Sequence, residues 1–331
     1  MDGKKKSACL LIALSSCAAS PCGAADVGAD QVVAAIEAVF GVVPGERRNH
    51  TKGTCAVGEF VGTKEAAAYS RSELFSGKVV PVVARFSLSG GNAKAPDTAR
   101  SARGMALEFR LPGGGLQHMT MLNTPMFGAA RPQTFLDLMV AMTPDPATGK
   151  PDPEKVRAFK ESHPDNRAQA DYLSTHNPPT SYANSSYFGI HTFKFINRDD
   201  QATLIRWRFV PLAGEKRLSD DELKSSPPNF LEAALIEQTR DEPVRWEMIV
   251  TLGAAGDPEN NPTLSWPEGR QQIKAGTLTV LAAMPQKGAA CESINFDPLV
   301  MGDGIAPTAD PVLLFRSPAY AVSFGKRLGG L

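Results

Sequence analysis

The hydrophobic pattern of this chain has a β period over much of its length. Eight segments alternate or run apolar with β-branched and aromatic residues, as strands do. They are residues 55–61, 79–87, 104–111, 116–122, 190–196, 203–210, 244–252 and 277–282. Eight strands are a number at which an antiparallel sheet can close into a barrel. The predicted fold class is therefore α+β, with an eight-stranded antiparallel barrel and helical insertions.

Apolar residues recur at helical spacing in five other segments. They are residues 29–40, 134–142, 153–163, 229–239 and 311–328. The last of these contains Pro318 and leaves two arrangements open. The helix either starts at Ser317 and Pro318, which leaves Arg316 outside it, or starts near Asp310 and is distorted at Pro318. We expect the second arrangement.

The charge balance of the chain limits its partners. Lys+Arg and Asp+Glu both number 35, so the formal net charge is zero. Proteins that bind nucleic acid or an anionic membrane surface normally carry a basic excess, so we expect neither partner. The apolar fraction of 42% is that of an ordinary globular protein. The oligomeric state is left open, with a homodimer among the options.

The first 25 residues have the pattern of a secretory signal peptide. Three lysines at positions 4–6 precede the apolar run 8–14, and small residues follow as far as Ala25. The apolar run is too short to span a bilayer. We therefore expect an exported, periplasmic protein with a single domain over residues 26–331. Residues 14–17 resemble a lipobox, so a lipid anchor at Cys17 is the alternative.

Removal of that segment would leave two of the five cysteines, Cys55 and Cys291. An oxidising compartment permits a disulfide between them. Two separate buried thiols fit the sequence equally well, because the sequence does not give the distance between the two residues.

The closing segment carries the first chemical signal. Arg316 lies four residues before Tyr320, which places the two side chains on one face of a helix. A tyrosine normally keeps its proton, with a pKa of about 10, and a nearby guanidinium favours the phenolate that can bind a cation. Arg327 returns to this face two turns later. Taken alone, the spacing fits an amphipathic helix with a buried tyrosine equally well.

Further polar motifs follow one another along the chain. In order they are Arg47-x-x-His50, Arg85-Phe86-Ser87, Asp97-x-x-Arg100-x-x-Arg103, Asn123-Thr124-Pro125, residues 189–194, Asp310 and Arg316-x-x-x-Tyr320. Each is weak by itself. Together and in this order the motifs resemble the haem catalase family, in particular its smaller branch, the catalase-related peroxidases. The resemblance runs from Arg47 to Arg327.

This resemblance implies a haem b cofactor (iron protoporphyrin IX) and a catalytic set on one side of it. His50 matches the base that moves a proton between the two oxygens of a peroxide. Ser87 matches the serine that orients the histidine. Asn123 matches a neutral donor that polarises the departing oxygen without titrating.

On the other side of the haem, Tyr320 matches the axial iron ligand and Arg316 its charge partner. His191 and Asp310 match the groups that hold this arginine in place. The remaining matches are Arg47, Arg85 and Arg327 at the haem propionates, and Phe135 beside the distal pocket.

Two residues depart from the pattern of the large catalases. Asn49 stands where those enzymes place an apolar residue before the histidine, and Gly128 replaces a bulky aromatic residue after the Asn-Thr-Pro motif. We expect both changes to make the distal pocket wetter and more open. We also expect the long C-terminal regions of the large catalases to be missing, and organic reductants to reach the haem more easily as a result.

The predicted activity is therefore reduction of hydrogen peroxide or organic hydroperoxides, coupled to oxidation of a small organic reductant, with weak catalase activity. One alternative is a fatty-acid hydroperoxide isomerase of the allene oxide synthase kind, which shares the same core. The other is a barrel protein that binds haem without catalysis.

Overall fold

The computed structural model describes residues 26–331, so the predicted signal peptide and the alternative anchor at Cys17 lie outside the described residues. Strands occupy ten segments of this region. They are β1 (Gly53–Gly62), β2 (Val79–Leu88), β3 (Arg103–Arg110), β4 (Leu116–Leu122), β5 (Tyr187–Phe188), β6 (Phe193–Ile196), β7 (Ala202–Pro211), β8 (Val244–Leu252), β9 (Gln272–Pro285) and β10 (Ile305–Pro307).

Helices connect and cover these strands. They are α1 (Ala29–Phe40), α2 (Lys64–Ala67), α3 (Pro132–Met142), α4 (Pro153–Ser162), α5 (Arg167–Thr175), α6 (Asp220–Ser225), α7 (Phe230–Asp241), α8 (Ala290–Ser293) and α9 (Pro311–Leu328). No helix among residues 26–331 has the length and apolar content needed to span a membrane. The predictions of export and of the periplasm stay predictions.

The sheet closes into the predicted eight-stranded antiparallel barrel. Around the ring, β1, β2, β3, β4, β5, β7, β8 and β9 pair in that order, and β9 pairs again with β1. β6 and β10 extend the sheet beside β7. The closure removes the free edges that an open sheet of this size would expose.

The predicted strand 190–196 is wrong in its first three residues. Only Phe193–Ile196 pairs as β6, and the missing member of the ring is the two-residue β5. Both strands pair with the same edge of β7. The four residues between Phe188 and Phe193 lie opposite only two residues of β7, between Arg208 and Ile205, so the chain bulges there. His191 lies in this bulge.

The barrel interior is filled by aromatic and aliphatic side chains. Phe60, Phe86, Phe109, Phe209 and Trp246 are fully buried there. Side chains alternate across a strand, so the neighbours of core residues on β2–β4 point outward. The core therefore lies inside the ring, and the outer face of β2–β4 is available for other chemistry.

Helices α1, α3 and α9 cover this outer face. They pack on one another through Val32, Ile36, Met139, Phe135 and Phe315. α9 starts at Pro311, as expected, and runs through Pro318 without ending. Asp310 caps its N-terminus by accepting hydrogen bonds from the Val312 and Leu313 amides at 2.9 and 3.3 Å.

Cys55 and Cys291 form a disulfide that joins β1 to α8, with their Cα atoms 5.6 Å apart. The bond is buried against Val83 and Phe296. Of the two arrangements that the sequence left open, the structure shows the cross-linked one.

Candidate active site

One large cavity lies between the outer face of β2–β4 and the covering helices. It contains about 1420 Å³ of space, including its open mouth, and its wall is mostly apolar. Nine of the residues predicted as site residues line it. They are Arg47, His50, Arg85, Ser87, Phe135, His191, Arg316, Tyr320 and Arg327. Asp310 stands behind His191, and Asn123 does not reach the wall.

The His50 imidazole is held in place from two sides. Its Nδ1 lies 2.9 Å from Ser87 Oγ, so Nε2 is the ring nitrogen left free. A Cβ at Gly104 would lie 2.8 Å from Ser87 Oγ and 3.1 Å from the His50 ring, so this position must be glycine for the ring to fit. Burial, followed by the positive charges of Arg85, Arg316 and Arg47, lowers the pKa of His50 to about 3. The imidazole is therefore neutral at physiological pH.

The backbone of His50 is in the left-handed region, with φ = 55°. This conformation costs about 1–3 kcal/mol in a residue other than glycine, and surrounding contacts must hold it. Asn49 Oδ1 accepts hydrogen bonds from the His50 amide at 2.9 Å and the Gly90 amide at 2.8 Å. Arg85 Nη2 donates to the His50 carbonyl at 2.6 Å. Asn49 therefore stabilises the loop conformation at His50, a role that the sequence analysis missed.

Asn123 is buried beside the cavity. Its Oδ1 accepts a hydrogen bond from the Arg103 amide at 2.7 Å. This contact fixes the side-chain amide so that Nδ2 is the end left to donate. The structure does not bring Asn123 onto the cavity wall with His50, although its neighbour Leu122 is there.

The tyrosine end of the cavity is a chain of hydrogen bonds. Arg316 Nη2 donates to Tyr320 Oη at 2.9 Å and to Thr120 Oγ1 at 2.7 Å. Its Nη1 donates to His191 Nε2 at 3.2 Å, and His191 Nδ1 donates to Asp310 Oδ2 at 2.7 Å. This pattern requires a neutral His191, and burial lowers the pKa of His191 accordingly. The i to i+4 contact between Arg316 and Tyr320 is the one that the sequence predicted.

Two of the three predicted propionate arginines are held by the main-chain carbonyls of one short segment, residues 291–294. Arg47 Nη2 donates to the carbonyls of Cys291, Glu292 and Ile294 at 3.0, 3.1 and 2.7 Å. Arg327 Nη2 donates to the Ser293 carbonyl at 3.3 Å. These four consecutive carbonyls, in residues 291–294, form what we call the carbonyl turn.

The third arginine is held by a side chain that the sequence analysis missed. Gln286 Oε1 accepts from Arg85 Nε at 3.0 Å and from Arg85 Nη2 at 2.7 Å. Gln286 Nε2 donates to the Thr51 carbonyl at 3.2 Å. The connection from β9 through α8 therefore holds all three arginines.

The three guanidinium groups leave a positive charge without a partner. None of them forms an ion pair with a carboxylate of residues 26–331. Burial lowers the pKa of Arg47, Arg85 and Arg327, and the other arginines of the cluster lower those of Arg47 and Arg85 further. Arg85 is buried and Arg47 and Arg327 are partly exposed, and a cation cluster of this kind fits a ligand with carboxylate groups, because guanidinium and carboxylate pair bidentately.

The aromatic side of the cavity is formed by Phe127 and Phe135, and Gly128 next to them was expected to make the pocket more open. Phe135 lines the cavity, as predicted, and stacks on Phe127 with ring centroids 6.0 Å apart. A Cβ at Gly128 would instead lie 2.5 Å from Gln169 Oε1 and 2.9 Å from Asn166 Nδ2. Gly128 therefore packs against other chain segments, and the expectation that it opens the pocket is wrong.

The other three histidines lie away from the cavity. His118 contacts Glu108, His163 contacts Asp137 and His176 stacks on a tyrosine ring.

Comparison with known proteins identifies the family. The family model for catalase matches residues 41–330. The chain belongs to the catalase family. It is 60% identical over 329 residues to a catalase-related peroxidase of Synechococcus elongatus, covering 97% of each chain. It is 33% identical to a catalase-related peroxidase of Mycolicibacterium paratuberculosis, covering 91% of this chain and 95% of the relative.

Solved structures agree on the fold. A bacterial catalase superposes with a TM-score of 0.79 at 26% identity, and a fungal catalase with 0.79 at 24% identity. This chain spans 58% and 60% of their lengths, whereas they cover 86% and 87% of this chain. Family membership confirms the predicted class, a peroxide-acting oxidoreductase.

The catalase family implies a haem cofactor, and the cavity fits it. Catalase is the known case of haem iron held by a tyrosine. Here the only tyrosine on the cavity wall, within residues 26–331, is Tyr320, next to Arg316. Apolar side chains suit the macrocycle, and the unpaired guanidinium groups suit its carboxylates.

Proposed function

We propose that this protein is a haem b peroxidase that reduces hydrogen peroxide or organic hydroperoxides while oxidising a small organic reductant. One observation carries the proposal. A neutral, hydrogen-bonded His50, a Tyr320–Arg316 pair and a cluster of unpaired arginines line a single cavity.

Haem, when bound, supplies the iron at which a peroxide is reduced. Tyr320 would hold the iron through its phenolic oxygen, and Arg47, Arg85 and Arg327 would bind the propionates. The guanidinium of Arg316 donates to Tyr320 Oη at 2.9 Å and would stabilise negative charge on this oxygen when it holds the iron. The buried pair of His191 and Asp310 keeps that guanidinium in position.

His50 is the base of this proposal. Ser87 occupies its Nδ1, so Nε2 can accept a proton from the peroxide and return it to the departing oxygen, which leaves as water or an alcohol. The lowered pKa keeps the ring available for this task under mildly acidic conditions. Asn123 is proposed to donate through Nδ2 to the departing oxygen, because the Arg103 amide occupies its Oδ1 and leaves Nδ2 as the donor.

Access for the organic reductant is proposed at the arginine end of the cavity. A second cavity is lined by Arg47 and Arg327, which also line the first, and by Glu46, Glu292 and Leu328. Both arginines are partly exposed. The carboxylate edge of the cofactor would therefore lie near the surface, where a small aromatic donor can approach.

Comparison of two reactions at equal peroxide concentration tests the balance of activities. The haem-loaded protein is given peroxide with and without a phenolic dye, and oxygen release and dye oxidation are followed together. We expect dye oxidation to exceed oxygen release and His50→Ala to abolish both without loss of haem absorbance. Dominant oxygen release would overturn the peroxidase assignment, and full turnover by His50→Ala would overturn the assigned base.

A further inference from the structure

The carbonyl turn orients two arginines through its main-chain oxygens. Four consecutive carbonyls of residues 291–294 accept hydrogen bonds from Arg47 and Arg327. Carbonyl groups impose this geometry only if the turn itself is fixed. α8 has four residues and no side-chain cap on its N-terminus, so its own helical hydrogen bonds supply little rigidity.

The disulfide supplies the missing attachment. Cys291 begins the carbonyl turn, and its sulfur is bonded to Cys55 of β1. Cys55 lies directly opposite Arg85 in the β1–β2 pair, and Cys55 Sγ lies 4.0 Å from the carbonyl of Gln286, which holds that arginine. The bond therefore ties the carbonyl turn to the strands from which the third arginine projects.

The surroundings of the bond reach the cavity wall. Phe296 packs against the disulfide and also lines the cavity. Displacement of the carbonyl turn would leave Arg47 with no other hydrogen-bond acceptor for Nη2 among residues 26–331. The two remaining guanidinium groups would then repel a group whose position is no longer fixed.

We propose that the Cys55–Cys291 disulfide positions the cofactor-binding arginines, so that retention of haem depends on this bond. The inference rests on the proposed haem site and adds to it two positioning residues that touch neither cofactor nor substrate. The bond acts mainly through Arg47 and the carbonyl turn, so its effect should be much smaller when Arg47 is removed.

A double-mutant cycle on the full chain tests this route. Haem dissociation into excess apomyoglobin is followed by absorbance for wild type, Cys55→Ala/Cys291→Ala, Arg47→Gln and the triple variant. Loss of the disulfide should speed dissociation about tenfold when Arg47 is present, and much less when it is absent, as for coupled groups. An unchanged rate, or equal acceleration in both backgrounds, would overturn the proposal.

Hydrogen exchange in the cofactor-free protein gives a second readout. Removal of the disulfide should speed exchange both in residues 286–294 and in the segment 43–50 that carries Arg47. Faster exchange in the first segment alone would show that the bond does not reach Arg47, and would also overturn the proposal. Cys55→Ala alone breaks the same bond while keeping the sulfur of Cys291, and it replaces the double variant if that does not fold.

The two proposals fail differently. Wild-type protein that binds no haem would contradict the proposed function, and the exchange experiment would still decide whether the disulfide orders the Arg47 segment.

Discussion

Acid should destabilise the cofactor-free protein because His50 stays neutral in the folded chain. Burial and the charges of Arg85, Arg316 and Arg47 lower its pKa from 6.5 to about 3. The unfolded chain keeps the ordinary value. Below pH 6.5 the unfolded state therefore binds a proton that the folded state does not bind, so the free energy of unfolding falls as the pH falls.

The size of the effect follows from the width of this window. Stability falls by about 1.4 kcal/mol for each pH unit in which only the unfolded state is protonated. The loss is about 2 kcal/mol at pH 5, and it approaches about 5 kcal/mol as the pH nears 3. The figure at pH 5 requires only that the folded pKa lies below that pH, so it does not depend on the full depth of the shift.

Urea unfolding of wild type and His50→Gln, each at pH 7 and pH 5, measures the effect. The quantity of interest is the loss of stability between pH 7 and pH 5 in wild type minus the same loss in the variant. Backbone strain at this position contributes equally at both pH values, and the titration of the other four histidines contributes equally to both proteins, so both contributions cancel. We expect wild type to lose about 2 kcal/mol more than the variant between pH 7 and pH 5. Equal losses would show that His50 titrates normally, and the argument for a permanently neutral base would fail.

Three substitutions test the supports of the site. Gly104→Ala places a methyl group 3.1 Å from the His50 ring. Turnover per haem should therefore fall at least about tenfold while haem absorbance is retained. Normal turnover would show that the ring has room to move. Gln286→Leu removes the side-chain acceptor of Arg85 and should speed haem dissociation about tenfold. Gln286→Glu keeps a side-chain acceptor and should have a smaller effect, and similar rates in both variants would contradict the role of the side-chain oxygen. Asn49→Val leaves the His50 amide without its acceptor and should lower the free energy of unfolding by about 1–3 kcal/mol, with Asn49→Asp as the control that keeps the oxygen; a fully stable valine variant would show that the loop conformation does not depend on this contact.

The barrel could be predicted because its strands are long and alternate. The observed bounds of β1, β2, β4 and β8 lie within two residues of the predicted ones, since one face of each strand packs into a single core. β5 could not be predicted from the sequence, because a strand of two residues is too short to show an alternation of apolar and polar positions. The bulge before Phe193 depends on how this segment pairs with β7, and a local hydrophobic pattern does not encode that register.

The side chains that line the site could be predicted from the ordered motifs. The groups that hold those side chains in position could not. The carbonyl turn acts through main-chain oxygens, which are the same in every residue type. Gln286 and Arg85 are 201 residues apart, so no spacing rule links them. Asn49 was interpreted as a polar residue that makes the pocket wetter, and the structure shows in addition that its side-chain oxygen accepts hydrogen bonds from the His50 and Gly90 amides. Its hydrogen-bonding role depends on the left-handed conformation of His50, which the sequence does not show.

The most direct test is a haem titration of the purified full-length protein, followed by its absorption spectrum, for wild type, Tyr320→Phe and His50→Ala. We predict that wild type and His50→Ala bind one haem per chain with the same tyrosinate-type spectrum. Tyr320→Phe should lose that spectrum and release haem readily, because the phenolic oxygen is gone while the arginine cluster remains. Wild-type protein that takes up no haem, or Tyr320→Phe protein with an unchanged spectrum, would contradict a tyrosine-ligated haem in this cavity.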